Sequence, residues 1–201
     1  MPAKLSYKLI VMNIFQFILF LSIIIWLIIP FRQIGKKYFY YFLSFALLDP
    51  LTEFLRIAFK SSSNYFFVPI TCLALISILN ISIIKKYRYQ IIVLFVLVCI
   101  FNFTKIMSEN TFIILCIIHL LIFLKLLKVF SINFVRNKLF DIFLTILIFY
   151  EITVILKFLN LLTGFTNADI YFYITTTFEI LFGLFFCIFR SDDSRLVLQL
   201  K

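Results

Sequence analysis

Apolar residues run along this chain in seven long blocks separated by short polar breaks. The blocks lie at about 9–31, 38–59, 66–84, 90–106, 111–130, 139–160 and 167–189, near the roughly 20 residues that one helix needs to cross a hydrocarbon layer. Each block is therefore read as a transmembrane helix. The expected fold is all-α, a single seven-helix transmembrane domain over 1–201 with short loops. The first block, from Leu9 to Pro30, exceeds the ~7 to 15 residues of a signal-peptide core and precedes no small-x-small cleavage site, so it is expected to remain as the first helix.

Composition closes off the soluble alternative. Of 201 residues 64% are apolar, 14% are charged and 29 are Phe, too little polar material to cover a water-facing globule. Seven spans would leave no room in these residues for a sizeable extramembrane domain, so no appended kinase, nuclease or binding module is expected.

The net charge of +10 would raise the question of nucleic acid in a soluble protein. Here the basic residues sort by side. Arg32, Lys36 and Lys37 fall in the first break, and Lys85, Lys86 and Arg88 in the third. Lys125, Lys128, Arg136 and Lys138 fall at the fifth, and Arg190, Arg195 and Lys201 in the tail. Only Lys4, Lys8, Arg56, Lys60, Lys105 and Lys157 fall on the other side. Thirteen against six places the first side in the cytoplasm, with the N-terminus outside and the C-terminus inside. The charge then marks topology and lipid-headgroup contact, and nucleic acid is not an expected partner. The expected location is the plasma (inner) membrane, as a multi-pass protein whose partners are the bilayer and a membrane or cytoplasmic protein.

Cys72, Cys99, Cys116 and Cys187 all fall inside blocks without a C-x-x-C spacing and are read as small apolar residues. Only Gly35, Gly164 and Gly183 occur, with no G-x-x-x-G, so glycine-mediated helix crossing is not expected and Phe-rich packing is. Pro50, mid-block, should kink the second helix and act as a hinge, whereas Pro30 and Pro69 are read as boundary residues.

Ionisable groups inside the blocks are the informative feature, because an Asp at the bilayer centre costs about 2.5 to 3.5 kcal/mol on insertion scales. Asp49, His119, Glu151 and Glu179 each sit within two residues of the centre of their block, so four helices can present acid or imidazole to one midplane pocket. In the second block Asp49, Glu53 and Arg56 fall within an arc of about 60° on one helix face. The last block carries a similar stripe of Thr175, Thr176 and Glu179. The candidate pocket is thus Asp49, Glu53, Arg56, His119, Glu151, Thr175, Thr176 and Glu179, with Arg56 as its one obvious cation and Lys125 and Lys157 extending to the two interfaces. The competing reading is that these groups only join helices, each satisfied by a neighbour.

His119 has three readings: a metal ligand with Glu151 and Glu179, a proton-relay member, or a hydrogen-bonded bundle histidine. No H-x-x-x-H, E-x-x-H or H-x-E spacing supports a metal, and neither metal nor cofactor is expected. The last block has no lysine for a retinal Schiff base, and no nucleotide loop or Ser-His-Asp order is present.

The closing stretch Glu179-Ile180-Leu181-Phe182-Gly183 through Arg190-Ser191-Asp192-Asp193, with the short loops, resembles small uncharacterised seven-helix membrane proteins of AT-rich bacteria. That resemblance implies an architecture and no activity. Leu48-Asp49 and Phe189-Arg190-Ser191-Asp192 are similar to short acidic motifs of the lysoplasmalogenase-like family, which implies buried acids as catalytic groups. The seven spans and the motif spacing depart from that family. Three functions follow from the residues, in order. They are a sensor or accessory subunit that binds a small ligand, lipid or proton and signals to a partner, a small facilitator or proton-coupled transporter, and an intramembrane lipid hydrolase with Asp49 and Glu151 as a carboxylate pair. The first two are not enzymes.

Overall fold

The computed structural model describes residues 2–59, 64–101 and 110–199, with the backbone alone at 2–13, 15, 53, 55–59, 64–65, 81 and 168–169. Among the described residues the chain is all-α apart from one pair of short strands. The helices are α1 (Pro2–Arg32), α2 (Phe39–Phe59), α3 (Asn64–Ser77), α4 (Ile81–Lys86), α5 (Arg88–Phe101), α6 (Thr111–Ser131), α7 (Ile142–Thr163) and α8 (Ala168–Ile188). A π-helical turn, Ile132–Arg136, extends α6. The expected third helix is divided. It ends at Ser77, turns through Ile78 and Leu79, and restarts as α4 after Asn80. Pro69, expected at a boundary, lies inside α3.

Six helices close into a ring. α1 packs on α2, α2 on α3, α3 on α6, α6 on α7, α7 on α8, and α8 back on α1, while α5 stands outside against α3 and α4. Among the described residues three segments are long and apolar enough to cross a membrane: Thr111–Arg136, Ile142–Thr163 and Ile170–Ile188. The outer faces repeat the apolar character. Ile113, Ile117, Leu120 and Leu124 of α6 and Ile174, Phe178, Leu181 and Ile188 of α8 are all exposed, an outside that water would not tolerate and hydrocarbon would.

The tightest packing lies at the end of the ring where α1 turns into α2. Ile29, Tyr41, Phe42, Leu144, Leu147 and Phe186 are fully or almost fully enclosed there, and Phe42, Phe143 and Phe186 meet at ring distances of 4.9 to 6.3 Å. Gln33, wholly buried, donates from Nε2 to the carbonyls of Phe186 and Phe189 (3.2 and 2.9 Å) and accepts from the Ser191 N–H (3.2 Å). Its side chain thereby satisfies the frayed end of α8, whose last carbonyls have no partner within the helix. Lys36 reaches Asp192 at 2.6 Å, and β1 (Leu139–Asp141) pairs antiparallel with β2 (Val197–Gln199) to close the same end. The strand displaces the expected start of the sixth helix from 139 to Ile142, where Asp141 accepts from the Leu144 N–H as N-cap. Beside the strands, hydrogen bonds from Arg195 hold the Asp193 carboxyl down at about 2, and the Lys36 hydrogen bond lowers Asp192.

Two glycines have local reasons. Gly164, at φ +62°, ends α7 in the left-handed conformation. Gly183 corrects the expectation that glycine plays no part in helix crossing: a Cβ there would lie 2.6 Å from Ile25 Cγ2, so α1 and α8 approach only because it is absent.

Candidate functional site

Away from that packed end, the ring encloses a cavity of about 400 Å³. Its wall takes Ser22 and Trp26 from α1, Phe45 and Asp49 from α2, Phe67 and Thr71 from α3, and Thr111 and His119 from α6. α7 adds Tyr150, Lys157 and Phe158, and α8 adds Phe172, Thr176 and Glu179. These positions occupy the later part of α1, the middle of α2, the first halves of α3, α6 and α8, and the middle and later turns of α7. α1, α3, α6 and α8 run toward the end of the ring that holds the α1–α2 turn and α2 and α7 run away from it, so these positions lie from the middle of the ring to the half away from that turn.

Three of the midplane groups expected to meet, Asp49, His119 and Glu179, stand on this wall. Glu151 lies behind it, fully buried. The Tyr41 hydroxyl donates to Glu151 Oε1, and Glu151 Oε2 lies 2.8 Å from His119 Nδ1. With Nδ1 donating to the carboxylate, the ring orientation is fixed and Nε2 is left for the cavity side. Phe45 and Phe158 flank the imidazole, with ring centroids 5.6 and 5.5 Å away. Both oxygens of Glu151 are thus engaged, by Tyr41 and His119, behind the wall on which Asp49 stands.

The site holds a cation that was expected elsewhere. Lys157, expected to extend to an interface, turns inward and places Nζ 2.8 Å from Glu179 Oε1. A lysine that can pair with a carboxylate on the adjacent helix avoids exposing its charge to hydrocarbon. Asp49 lies within electrostatic reach of both members of that pair. Arg56 and Glu53, the cation and second acid of the expected stripe, have side chains outside the described residues. α2 continues as one helix through Pro50, and Thr52 donates to the Asp49 carbonyl at 2.9 Å.

The two threonines of α8 separate. Thr175 donates back to the carbonyls of Tyr171 and Phe172 (3.0 and 3.2 Å) and takes no part in the wall. Thr176 is on the wall, completely buried, and its hydroxyl has no hydrogen-bond partner. Buried hydroxyls are rarely left so, and such an orphan marks a place where a further group belongs.

Sequence reasoning did not find Tyr41 or Lys157 as members of the site. Tyr41 did not stand out, sharing its turn of α2 with the hydroxyls of Tyr40 and Ser44, and its partner lies 110 residues away. Among the described residues no group of three or more His, Cys, Asp or Glu could hold a metal ion, and the four cysteines are free and half-buried. No protein-family model, curated protein or solved structure matches the chain.

Proposed function

We propose that this is a multi-pass membrane protein of seven transmembrane helices, N-terminus outside and C-terminus cytoplasmic, that binds a small ligand in its cavity and reports occupancy to a partner at its basic face. The observation that supports it is the asymmetry of the ring: a cavity lined by charged and hydroxyl groups in one half, and a closed aromatic core in the other. In the orientation given by the basic residues, the hollow half faces outward and the sealed half faces the cytoplasm. A pocket accessible from one side suits sensing, and the helix ends joined by Gln33 and Lys36 are where a helix shift would emerge.

Cysteine accessibility tests it. In a chain lacking the four native cysteines, Val154→Cys on the cavity wall should react with a membrane-impermeant thiol reagent added outside and not with reagent added at the cytoplasmic face. Labelling from both faces would replace sensing with transport, and labelling from neither would leave a sealed structural bundle. Crosslinking at the basic face that recovers only monomer and lipid would remove the signalling partner.

A second reading, proton-coupled transport, draws support from the hydrogen-bonded series His119–Glu151–Tyr41, which leads from the wall into the packed half. Flux in proteoliposomes unchanged by Glu179→Gln and Asp49→Asn would remove that reading.

A further inference from the structure

We infer that the ligand of this cavity is an organic ammonium with an apolar body, its charge held by Asp49 and its body by the aromatic wall. The inference rests on the binding role proposed above and names the chemical class that the site would take.

Charge comes first. The wall carries two carboxyl groups, Asp49 and Glu179, and one ammonium, Lys157. The ammonium is already committed to Glu179 at 2.8 Å. Among the described residues Asp49 therefore opens its carboxyl group onto this space with the one ammonium of the wall spent on a neighbour, and Glu151 behind His119 adds a third acid behind the wall. An anionic ligand would meet repulsion here, and a cation would complete the pairing.

The remaining wall decides what kind of cation. Trp26, Phe45, Phe67, Tyr150, Phe158 and Phe172 present aromatic surface to the space. Aromatic rings attract weakly hydrated cations through their faces but cannot replace the oxygen shell of a small metal ion. Among the described residues no cluster suits a metal, and a proton alone would need neither 400 Å³ nor an aromatic lining. That volume lies in the range of pockets that take small organic molecules. The unpartnered Thr176 hydroxyl, enclosed in the same wall, is an independent sign of an incomplete site: it offers a hydrogen bond to an amine N–H or to a polar substituent on the ligand.

Trp26 is the one tryptophan of the chain and lines the cavity, so its fluorescence reports occupancy directly. The full chain in nanodiscs would be titrated with benzyltrimethylammonium, with its uncharged isostere neopentylbenzene, and with the anion phenylmethanesulfonate, and each complex checked by native mass spectrometry. The expected result is a saturable change with the ammonium, at least ten-fold weaker with the neutral isostere and absent with the anion. Asp49→Asn should weaken the ammonium at least ten-fold and leave the isostere unchanged, while Asp49→Glu retains ammonium binding. The unchanged isostere shows that the Asn variant is folded. If the isostere or the anion binds as tightly as the ammonium, the ammonium assignment is overturned and the binding role stands. If none of the three binds by either readout, the binding role falls with it.

Discussion

The two halves of one helix ring bury their polar groups in opposite ways. Near the α1–α2 turn Gln33 is as buried as any phenylalanine around it, yet its amide is used on three backbone partners. In the other half Thr176 is equally buried and has none, and Asp49 opens onto a space that Phe45 and Trp26 also line. Both halves are aromatic and both contain polar side chains, so neither feature alone marks a site. What differs is completion: groups that finish their hydrogen bonding inside the chain hold helices together, and groups left unfinished around a cavity are available to something else.

That contrast can be broken by mutation, and the largest effects belong in the packed half. Phe143→Ala removes a ring that is 1% exposed and touches Phe42 and Phe186, and should cost about 3–5 kcal/mol. Phe112→Ala, on the cavity wall and 37% exposed, should cost under about 1 kcal/mol by the same scaling of loss with burial. Reversible unfolding in mixed micelles would measure both, and equal losses would erase the distinction between the halves. Glu151→Ala belongs with the first of these: it strips the buried partner from His119 and Tyr41 and should cost about 3–5 kcal/mol, whereas Glu151→Gln should recover part of it.

Intermediate effects are expected where the two halves meet α8. Gln33→Leu leaves two carbonyls and one N–H without their partner and should cost about 1–3 kcal/mol. Gly183→Ala should cost a similar amount, about 1–3 kcal/mol, because the new methyl group overlaps Ile25. Loss of Trp26 ring ordering, seen as a fluorescence shift, would accompany the Gly183 change, since Trp26 Nε1 donates to the Glu179 carbonyl at 3.2 Å across the same interface.

The smallest effect lies in the exposed clip. Asp193 is lowered to about 2 by its Arg195 partner, against roughly 3.9 for a free aspartate. A depressed acid stabilises the folded form above its unfolded value and loses that contribution as pH falls through the folded one. The Asp193–Arg195 contact should therefore be complete above about pH 4 and released near pH 2, which the carboxyl-carbon chemical shift of Asp193 would follow. A midpoint near 4 would mean that the contact contributes nothing in solution.

Much of the fold was legible because a helix in an apolar medium must be apolar itself, and a run of some twenty such residues is difficult to hide. The division of α3 from α4 was not legible, since Ile78 and Leu79 keep the turn as apolar as the helices it joins. Asn80, the first polar residue after them, was the available signal. At the site, Asp49, His119, Thr176 and Glu179 could be named because polar residues inside apolar blocks stand out. Lys157 could not be placed: five residues before the last Leu of α7, it looked like a side chain bound for the interface until Glu179 of the next helix captured it.

The amino-acid sequence by itself determined that this chain is helical and apolar, where its long helices run, and which few polar residues lie deep within them. Only the tertiary structure decided how those residues are shared out. Hydrophobic length is a property of consecutive residues, whereas pairing depends on rotation and depth between helices that are distant along the chain. The 22-residue separation of Lys157 from Glu179 and the 110-residue separation of Tyr41 from Glu151 are closed by packing alone. Packing likewise left Asp49 facing the cavity and Thr176 without a partner on its wall.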